Sequence, residues 1–218
     1  NRLSLVKEAV ASVQAQRFTD FELIVADDGS TDGTLDWLHS ARVQSLSLPH
    51  SGFPGLVRNR GAQAAHGEWL AFLDSDDRWL PAKLEKQAAF CRANPATVLC
   101  HTREIWNRNG KIISQRGLTH RRSGHIFTDA LHKCIIGPST VMLRRTVFEE
   151  AGMFAPDLEI AEDYELWLHI TARHEIGYID EPLVEKRGGR DDQLSARYGQ
   201  IEIFRIQALT RALERGSF

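Results

Sequence analysis

The chain has 218 residues, of which 42% are hydrophobic and 26% are charged. This length suits one large domain or two small ones, and this composition can bury a core, which excludes a disordered or fibrous chain. Lysine and arginine number 27 against 29 aspartate and glutamate residues, a formal net charge of -2. A nearly balanced charge gives the chain as a whole no attraction to nucleic acid. No apolar run in the sequence approaches the roughly 20 residues that a membrane-spanning helix needs.

The first hundred residues alternate between helical and strand patterns. Apolar residues at helical spacing predict a helix from Leu5 to Val13. Short apolar runs predict strands at 21–26, 43–48, 69–73 and 97–100. The segments between them predict helices that begin at Leu35, cover 55–66, and run from Pro81 to about Arg92. Strands that alternate with helices favour an α/β domain with a mostly parallel sheet.

The second half of the chain has a less regular pattern. Residues 103–125 are polar and basic, and they predict a long loop or an irregular hairpin. The pattern predicts strands at 139–143, 176–179 and 183–186. It predicts helices at 127–134, 146–151, 162–172 and 195–214.

Two of the predicted strands end in acidic clusters. Asp27-Asp28-Gly29-Ser30 follows the first strand, and Asp74-Ser75-Asp76-Asp77 follows the third. Because ligands bind at the carboxyl ends of parallel strands, we expect the two clusters to share one edge of the sheet. Mg²⁺ and Mn²⁺ commonly take one or two carboxylates together with substrate phosphates, so the second cluster could hold such a metal against a diphosphate. Taken alone, the first cluster also fits a strand that runs into a capped helix, and the second fits a solvated turn equally well.

The clusters, in order with Arg58-Asn59 and Glu162-Asp163, resemble the family 2 glycosyltransferases of the GT-A fold. The matching stretches are 21–34, 58–81, and the Glu-Asp pair with its downstream helix, and the likeness covers roughly residues 1–185. The resemblance implies an α/β, Rossmann-like GT-A sandwich with a mostly parallel central sheet. Residues 1–100 would form its nucleotide-sugar-binding half. Residues 101–218 would form the acceptor-binding half with the C-terminal helix, within a single domain.

The resemblance also implies roles on the nucleotide side. Asp27 and Asp28 would border the nucleoside, with one carboxylate on the base. Arg58 would lie near the diphosphate. Asp74 would approach the ribose, and Asp76 would ligate a divalent metal, Mn²⁺ or Mg²⁺.

Glu162-Asp163 matches the family's Glu-Asp pair, whose Asp acts as general base. By itself, an acidic pair in the first turn of a helix is explained by the helix dipole, and it is the company of the other motifs that favours catalysis. The reaction implied is an inverting one. Asp163 would take a proton from the acceptor hydroxyl as its oxygen attacks the anomeric carbon, while the metal neutralises charge on the leaving diphosphate.

Four further residues are weaker candidates. Trp79 directly follows the metal motif and could stack on a sugar ring, with packing as its alternative role. Ser139 lies where relatives place acceptor-side residues. Arg187 and Arg190 belong to a charged, glycine-bearing loop that could close over the diphosphate, and an exposed loop is the alternative.

The resemblance gives partners by class. The donor would be a nucleoside diphosphate sugar, by analogy UDP-linked, and the acceptor a saccharide, a lipid-linked sugar or a protein, in cell-envelope polysaccharide biosynthesis. We expect a cytoplasmic enzyme with peripheral association at the inner face of the membrane. Relatives begin with an apolar strand and a Pro-x-Tyr-Asn segment, and this sequence opens at Asn1. We therefore expect the sheet to lack its first, central strand.

Two other classes of protein remain as alternatives. A sugar-phosphate nucleotidyltransferase also uses an α/β sheet and acidic metal ligands, but it usually carries a Gly-rich loop with Arg and Lys after its first strand. No such loop is visible in this sequence. A non-catalytic nucleotide-sugar-binding paralogue is the other alternative, and the intact acids argue against it.

Overall fold

The computed structural model describes residues 1–108, 110–113, 121–188 and 201–216. The described helices are α1 (Leu3–Gln14), α2 (Thr34–Ser40), α3 (Pro54–Ala64), α4 (Lys83–Ala93), α5 (Phe127–His132), α6 (Arg145–Glu150), α7 (Glu162–Arg173) and α8 (Ile201–Glu214). The described strands are β1 (Ile24–Asp27), β2 (Gln44–Ser47), β3 (Trp69–Leu70), β4 (Arg78–Trp79), β5 (Leu99–Arg108), β6 (Lys111–Ile113), β7 (Met142–Arg144) and β8 (Gly177–Gly188). A 3₁₀ turn, Pro138–Thr140, precedes β7. The fold is mixed α/β, as the sequence predicts.

The described strands form two sheets. In the smaller sheet β1 pairs with β2 in parallel. In the larger sheet the order is β3-β7-β5-β8-β4, and β6 pairs with β5. Only the β5–β8 pair of this sheet is parallel within the described residues, and its other pairs are antiparallel.

The expectation of a mostly parallel central sheet is therefore wrong for the larger sheet. A parallel pair needs a crossover of a dozen or more residues, whereas an antiparallel pair can be joined by a tight turn. Arg108 of β5 pairs with Lys111 of β6, which is a hairpin spacing. Of the two alternatives predicted for 103–125, the described residues show the hairpin, because β5 continues to Arg108 and pairs with β6. Residues 109 and 114–120 lie outside the described residues.

The strands predicted at 176–179 and 183–186 are parts of one strand, β8. Pro182 made the segment look interrupted, because proline cannot donate to a strand ladder. In the structure Pro182 lies opposite Arg103, where the register between β5 and β8 shifts. An irregularity of this kind accommodates a residue without an N–H group and lets the strand continue on both sides.

The main apolar core lies beneath α7. Trp167 of that helix is 1% exposed and packs edge-on against Phe154, with ring centroids 5.9 Å apart. Phe154 in turn contacts Phe72 and Phe148, at centroid distances of 5.0 and 5.4 Å. Tilted and edge-to-face aromatic contacts of this kind add to the stabilisation from burial. They fix the middle of α7, through Phe154, against the segment that follows β3.

No strand pairing joins β1 to β3 in the part of the chain that the structure describes. A cleft of about 1530 Å³ lies there and is lined by residues of both sheets. Its apolar part includes Val10 and Val13 of α1 and Val25 of β1. Its polar part is formed by the residues after β1 and β3. Among the described helices none is long and apolar enough to cross a membrane.

Candidate active site

The cleft brings together most of the residues that the sequence singles out. Its lining includes Asp27, Asp28, Arg58, Asp74, Asp76, Trp79, Glu162, Asp163 and Arg187. Ser139 lies behind the lining, in contact with the acidic turn after β3. Arg190 lies outside the described residues. The two acidic clusters line the same cleft, but they follow strands of two different sheets, so the expectation that they share one edge of a sheet is wrong for the described residues.

The two aspartates after β1 are held by their own chain. Asp27 is 6% exposed and accepts a hydrogen bond from the Ser30 N–H at 2.8 Å. Asp28 accepts bonds from the N–H groups of Ser51 and Gly52, at 2.8 and 2.9 Å. Burial opposes the ionisation of Asp28, but these donors hold its pKa below the ordinary value. These bonds hold both carboxylates in the lining of the cleft, and their contact with a nucleoside stays a prediction.

Arg58 connects the two parts of the candidate site. Its guanidinium reaches Asp74 at 2.6 Å and also pairs with Glu162, which lies 104 positions further along the chain. Burial raises the pKa of Asp74, but the charge and hydrogen bond of Arg58, together with the charges of Lys186 and Arg2, outweigh burial and lower that pKa below the ordinary value. Because two carboxylates already hold Arg58, it positions the acids more directly than it offers a free cation to a diphosphate.

The acidic turn after β3 is supported from behind by Ser139. The Ser139 hydroxyl donates to Asp77 at 2.7 Å and accepts from the N–H of Asp74 at 3.1 Å. Ser139 is fully buried, so the structure gives it a supporting role in place of the acceptor contact suggested from the sequence. Burial, with the charges of Asp74 and Asp76 nearby, raises the pKa of Asp77 to about 7.

Asp76 and Asp74 offer the oxygen donors that a hard divalent cation needs. The Asp76 carboxylate is 13% exposed and lies 3.5 Å from the Arg2 guanidinium. Across the described ranges, no group of three or more His, Cys, Asp or Glu side chains is arranged to hold a metal ion. Two carboxylates suit Mg²⁺ or Mn²⁺, which commonly take one or two carboxylates and complete their ligands with substrate phosphates and water.

Asp163 lies in the first turn of α7, on the other side of the Arg58 bridge. One of its oxygens accepts the Tyr164 N–H at 2.7 Å, and the Cys134 sulfur lies 3.9 Å from the other. Burial, assisted by the charge of Glu162, raises the pKa of Asp163 to about 7. A general base works best when its pKa lies near the operating pH, so this carboxylate has the properties that the role requires.

The remaining aromatic and basic candidates contact other parts of the protein. Trp79 is 7% exposed, and its indole N–H donates to the Ser139 carbonyl at 2.9 Å. These contacts favour packing over the sugar-stacking role suggested from the sequence. Arg187, at the rim of the cleft, pairs with the exposed Glu8 of α1.

Lys186 and Cys134 line the cleft together with the acids, and both escaped the sequence analysis as site candidates. Trp106 also lines it, although the sequence favours packing over sugar stacking for this residue. Lys186 and Trp106 are register partners on β8 and β5. No short motif marks them, because strand pairing over 80 positions brings them together. Lys186 and Trp106 could be placed side by side only by knowing that β5 pairs with β8.

Comparisons with known proteins give the family. The family described as Glycosyl transferase family 2 matches residues 1–152. The putative teichuronic acid biosynthesis glycosyltransferase TuaG of Bacillus subtilis is 30% identical over 86% of this chain and 75% of its own length. The Escherichia coli UDP-Glc:alpha-D-GlcNAc-diphosphoundecaprenol beta-1,3-glucosyltransferase WfgD is 32% identical over 80% of this chain and 68% of its own. An uncharacterized Rickettsia conorii glycosyltransferase is 34% identical, and this chain spans only 31% of that relative's length.

Solved structures share the fold. S. aureus TarS 1-349 in complex with UDP-GlcNAc has a TM-score of 0.71 at 24% identity, over 88% of this chain and 57% of that one. The Pyrobaculum calidifontis mannosyltransferase PcManGT, in complex with GDP-Man and Mn²⁺, has a TM-score of 0.73 at 17% identity, over 99% and 61%. At these identities the likeness shows a GT-A type of fold.

Proposed function

Since the chain belongs to glycosyl transferase family 2, we propose that its cleft transfers a sugar from a nucleoside diphosphate to an acceptor hydroxyl, with inversion. The observation that carries the proposal is the Arg58 bridge. It holds Asp74, beside the candidate metal ligand, and Glu162, beside the candidate base, on one guanidinium. Donor-binding acids and a base are thereby fixed relative to each other across the cleft.

The donor and acceptor classes follow from the relatives. WfgD is named for a UDP-glucose donor and a diphosphoundecaprenol-linked GlcNAc acceptor, and TarS was crystallised with UDP-GlcNAc. We therefore propose a UDP-sugar donor and a lipid-linked saccharide acceptor in cell-envelope polysaccharide biosynthesis. A lipid-linked acceptor stays in the membrane, so a cytoplasmic enzyme that uses it would work at the inner membrane face.

The chemistry is a single displacement. The acceptor oxygen forms a bond to the anomeric carbon, the bond from that carbon to the diphosphate breaks, and the acceptor proton passes to Asp163. Asp163 can accept this proton because burial keeps its pKa near 7. Arg58 keeps Glu162 from approaching the acceptor as a competing base, because it pairs with that carboxylate.

The site would also hold a divalent metal. Asp76, with Asp74 beside it, would ligate Mn²⁺ or Mg²⁺, and a bound ion would neutralise negative charge on the departing diphosphate. PcManGT carries Mn²⁺ in its complex with GDP-Man, which supports this proposal for the fold.

A transfer assay tests the proposal. UDP release would be measured from UDP-glucose or UDP-GlcNAc with Mn²⁺ and a lipid-linked GlcNAc acceptor. We expect acceptor-dependent release by the wild type, and a loss of roughly 10²–10⁴ in kcat for Asp163→Asn, the usual contribution of a general base. Asp36→Asn, on the exposed face of α2, is the matched control and should retain full activity.

The same assay separates the alternatives. Full turnover by Asp163→Asn would refute the assigned base. Conversion of the UDP-sugar and pyrophosphate to UTP and sugar 1-phosphate would identify a nucleotidyltransferase, and binding of UDP without any turnover would identify a non-catalytic paralogue.

A further inference from the structure

Lys186 projects into the same cleft, and the proposed function has not used it. It lies on β8 opposite Trp106 of β5, and its ammonium nitrogen is 5.5 Å from the centre of the Trp106 ring. Gly137 leaves space for it, since a Cβ at that position would lie 2.8 Å from the nitrogen. The chain therefore keeps a pocket for this ammonium group beside the turn that contains Ser139.

The charge on Lys186 is maintained by acids on both sides of the cleft. Burial lowers its pKa, but nearby carboxylates outweigh burial and hold the pKa above the ordinary value. These carboxylates belong to Asp77, Asp74, Glu104 and Asp163. Lys186 therefore enters the cleft as a cation, between the acids of the donor side and the candidate base.

Lys186 also differs from three other cations that line the cleft. Arg58 is held by two carboxylates, Arg187 pairs with Glu8, and Arg2 lies 3.5 Å from Asp76. Lys186 makes no hydrogen bond, and no ion pair within 4 Å, with any residue that the structure describes. A partly buried ammonium group without a close partner is favourable only if the acids around it, or a bound anion, compensate for lost hydration.

We propose that Lys186 is a further catalytic residue, which binds the sugar-bearing phosphate of the donor and stabilises the negative charge on the departing diphosphate. The inference rests on the proposed function. The charges of both Asp74 and Asp163 act on Lys186. In the proposed function the bond to the leaving group breaks near these two carboxylates, where a fixed cation would act most strongly in the transition state. Lysine contacts phosphate as a compact point charge, which suits a single oxygen of the leaving group.

Binding measurements with Lys186→Met test this, because methionine keeps the length of the side chain and removes its charge. Dissociation constants for UDP, UMP and uridine would be measured by calorimetry on the full chain with Mn²⁺. We expect UDP affinity to fall roughly tenfold to hundredfold, as for the loss of a charge-assisted hydrogen bond, and UMP and uridine affinities to stay within about twofold. Lys186→Arg should recover part of the UDP affinity.

The matched control is Lys86→Met, because Lys86 lies on α4 and pairs with Glu181 away from the cleft. It should leave all three affinities unchanged. Equal weakening of UDP and UMP by Lys186→Met, or unchanged UDP binding, would overturn the role of Lys186 and leave the proposed function standing. Failure of the wild type to bind UDP or GDP would overturn the proposed function and the inference together.

Discussion

Asp163 has a raised pKa because of its surroundings, and this makes the pH dependence of activity predictable. Its ordinary pKa of 3.8 is raised to about 7 by burial and by the neighbouring Glu162. Below pH 7 the carboxylate is protonated and cannot accept the acceptor proton. We expect kcat/KM to fall about tenfold per pH unit on the acid side of roughly pH 7, measured by initial rates from pH 5 to 9.

Glu162→Gln tests the cause of that shift. Loss of the Glu162 charge lowers the pKa of Asp163, so the decrease of kcat/KM on the acid side of the pH profile should move to lower pH. The ratio of activity at pH 6 to activity at pH 8 should therefore be higher than in the wild type. Glu150→Gln, at an exposed position on α6, is the control and should leave the pH at which kcat/KM decreases unchanged. A decrease that moves to higher pH in Glu162→Gln would contradict this account.

Asp77 makes a prediction about stability. Its pKa is raised to about 7 by burial foremost, so the folded state binds a proton that the unfolded state releases near pH 4. Binding of this proton stabilises the folded state at pH 5. The stabilisation is lost as the pH rises through 7, where the buried carboxyl group of Asp77 must ionise. Asp77→Asn should therefore have a higher melting temperature than the wild type at pH 8, by roughly 2–4 °C for each kcal/mol gained.

The measurement is a thermal melt in EDTA at pH 5 and pH 8. At pH 5 the wild-type carboxyl is protonated and resembles asparagine, so the two proteins should melt within about 1–2 °C of each other. If Asp77→Asn raised the melting temperature more at pH 5 than at pH 8, the pKa of Asp77 could not be raised in the folded state.

At the scale of single residues, the sequence predicted the acidic side chains of the candidate site but not the residues that contact them. Asp28, Asp74 and Asp76 could be found because each follows an apolar strand of recognisable length. The contact of Arg58 with Glu162 depends on how α3 packs against the start of α7, which no local pattern encodes. Lys186 was missed for the same reason.

Among the elements, strand β8 depends on close packing against α4. A Cβ at Gly177 would lie 2.4 Å from the Phe90 ring and 3.1 Å from the Cβ of Cys100. Because the core there has no room, Gly177→Ala should destabilise the fold by about 1–3 kcal/mol, as overpacking generally does. Urea unfolding would measure this loss.

Gly61, inside α3, is the matched control with the opposite expected sign. A Cβ there meets only the Ala26 Cβ at 3.6 Å, an ordinary van der Waals contact. Gly61→Ala should stabilise the fold by about 0.5–1 kcal/mol through the better helix propensity of alanine. If both substitutions lowered the free energy of unfolding equally, the conformational freedom of the glycine backbone would determine the effect, and not the space available for a Cβ atom.

The elements themselves were predictable where the hydrophobic period was long. Helix α1 was predicted from apolar residues at helical spacing, and it is observed from Leu3 to Gln14. The strand expected at 139–143 begins only at Met142, because Pro138–Thr140 form a 3₁₀ turn. A proline at the start of a short apolar run fits either conformation, so contacts elsewhere in the chain decide between them.

At the scale of the whole molecule, the cleft described above contacts both sheets, and a ligand that fills it should stabilise both. We expect UDP at a hundred times its dissociation constant to stabilise the folded state by about 2.7 kcal/mol, detectable as a higher melting temperature. Mn²⁺ should increase this shift in the wild type. Asp76→Ala should abolish the Mn²⁺-dependent part, and an undiminished Mn²⁺ effect would rule out Asp76 as the ligand.

At the level of the whole chain, the sequence predicted the fold class and the family, and the family match confirms both. It did not predict how the strands pair. Alternating strands and helices over residues 1–100 suggested parallel pairing, and the second half adds β5, β7 and β8 to the sheet with mixed directions. Pairing between strands far apart in sequence is set by the packing of all layers together, so it could not be taken from a local pattern.

The salt bridges of Arg58 have a consequence for recombination between relatives. A chimaera that took residues 1–100 from a protein without arginine at this position would leave Glu162, which is 5% exposed, as an uncompensated charge in the interior. An unpaired buried carboxylate destabilises a fold far more than the loss of both charges of a salt bridge does. Such a hybrid would therefore be impaired in folding before its chemistry could be assayed. Exchange of the two segments should succeed only when arginine and glutamate are inherited together.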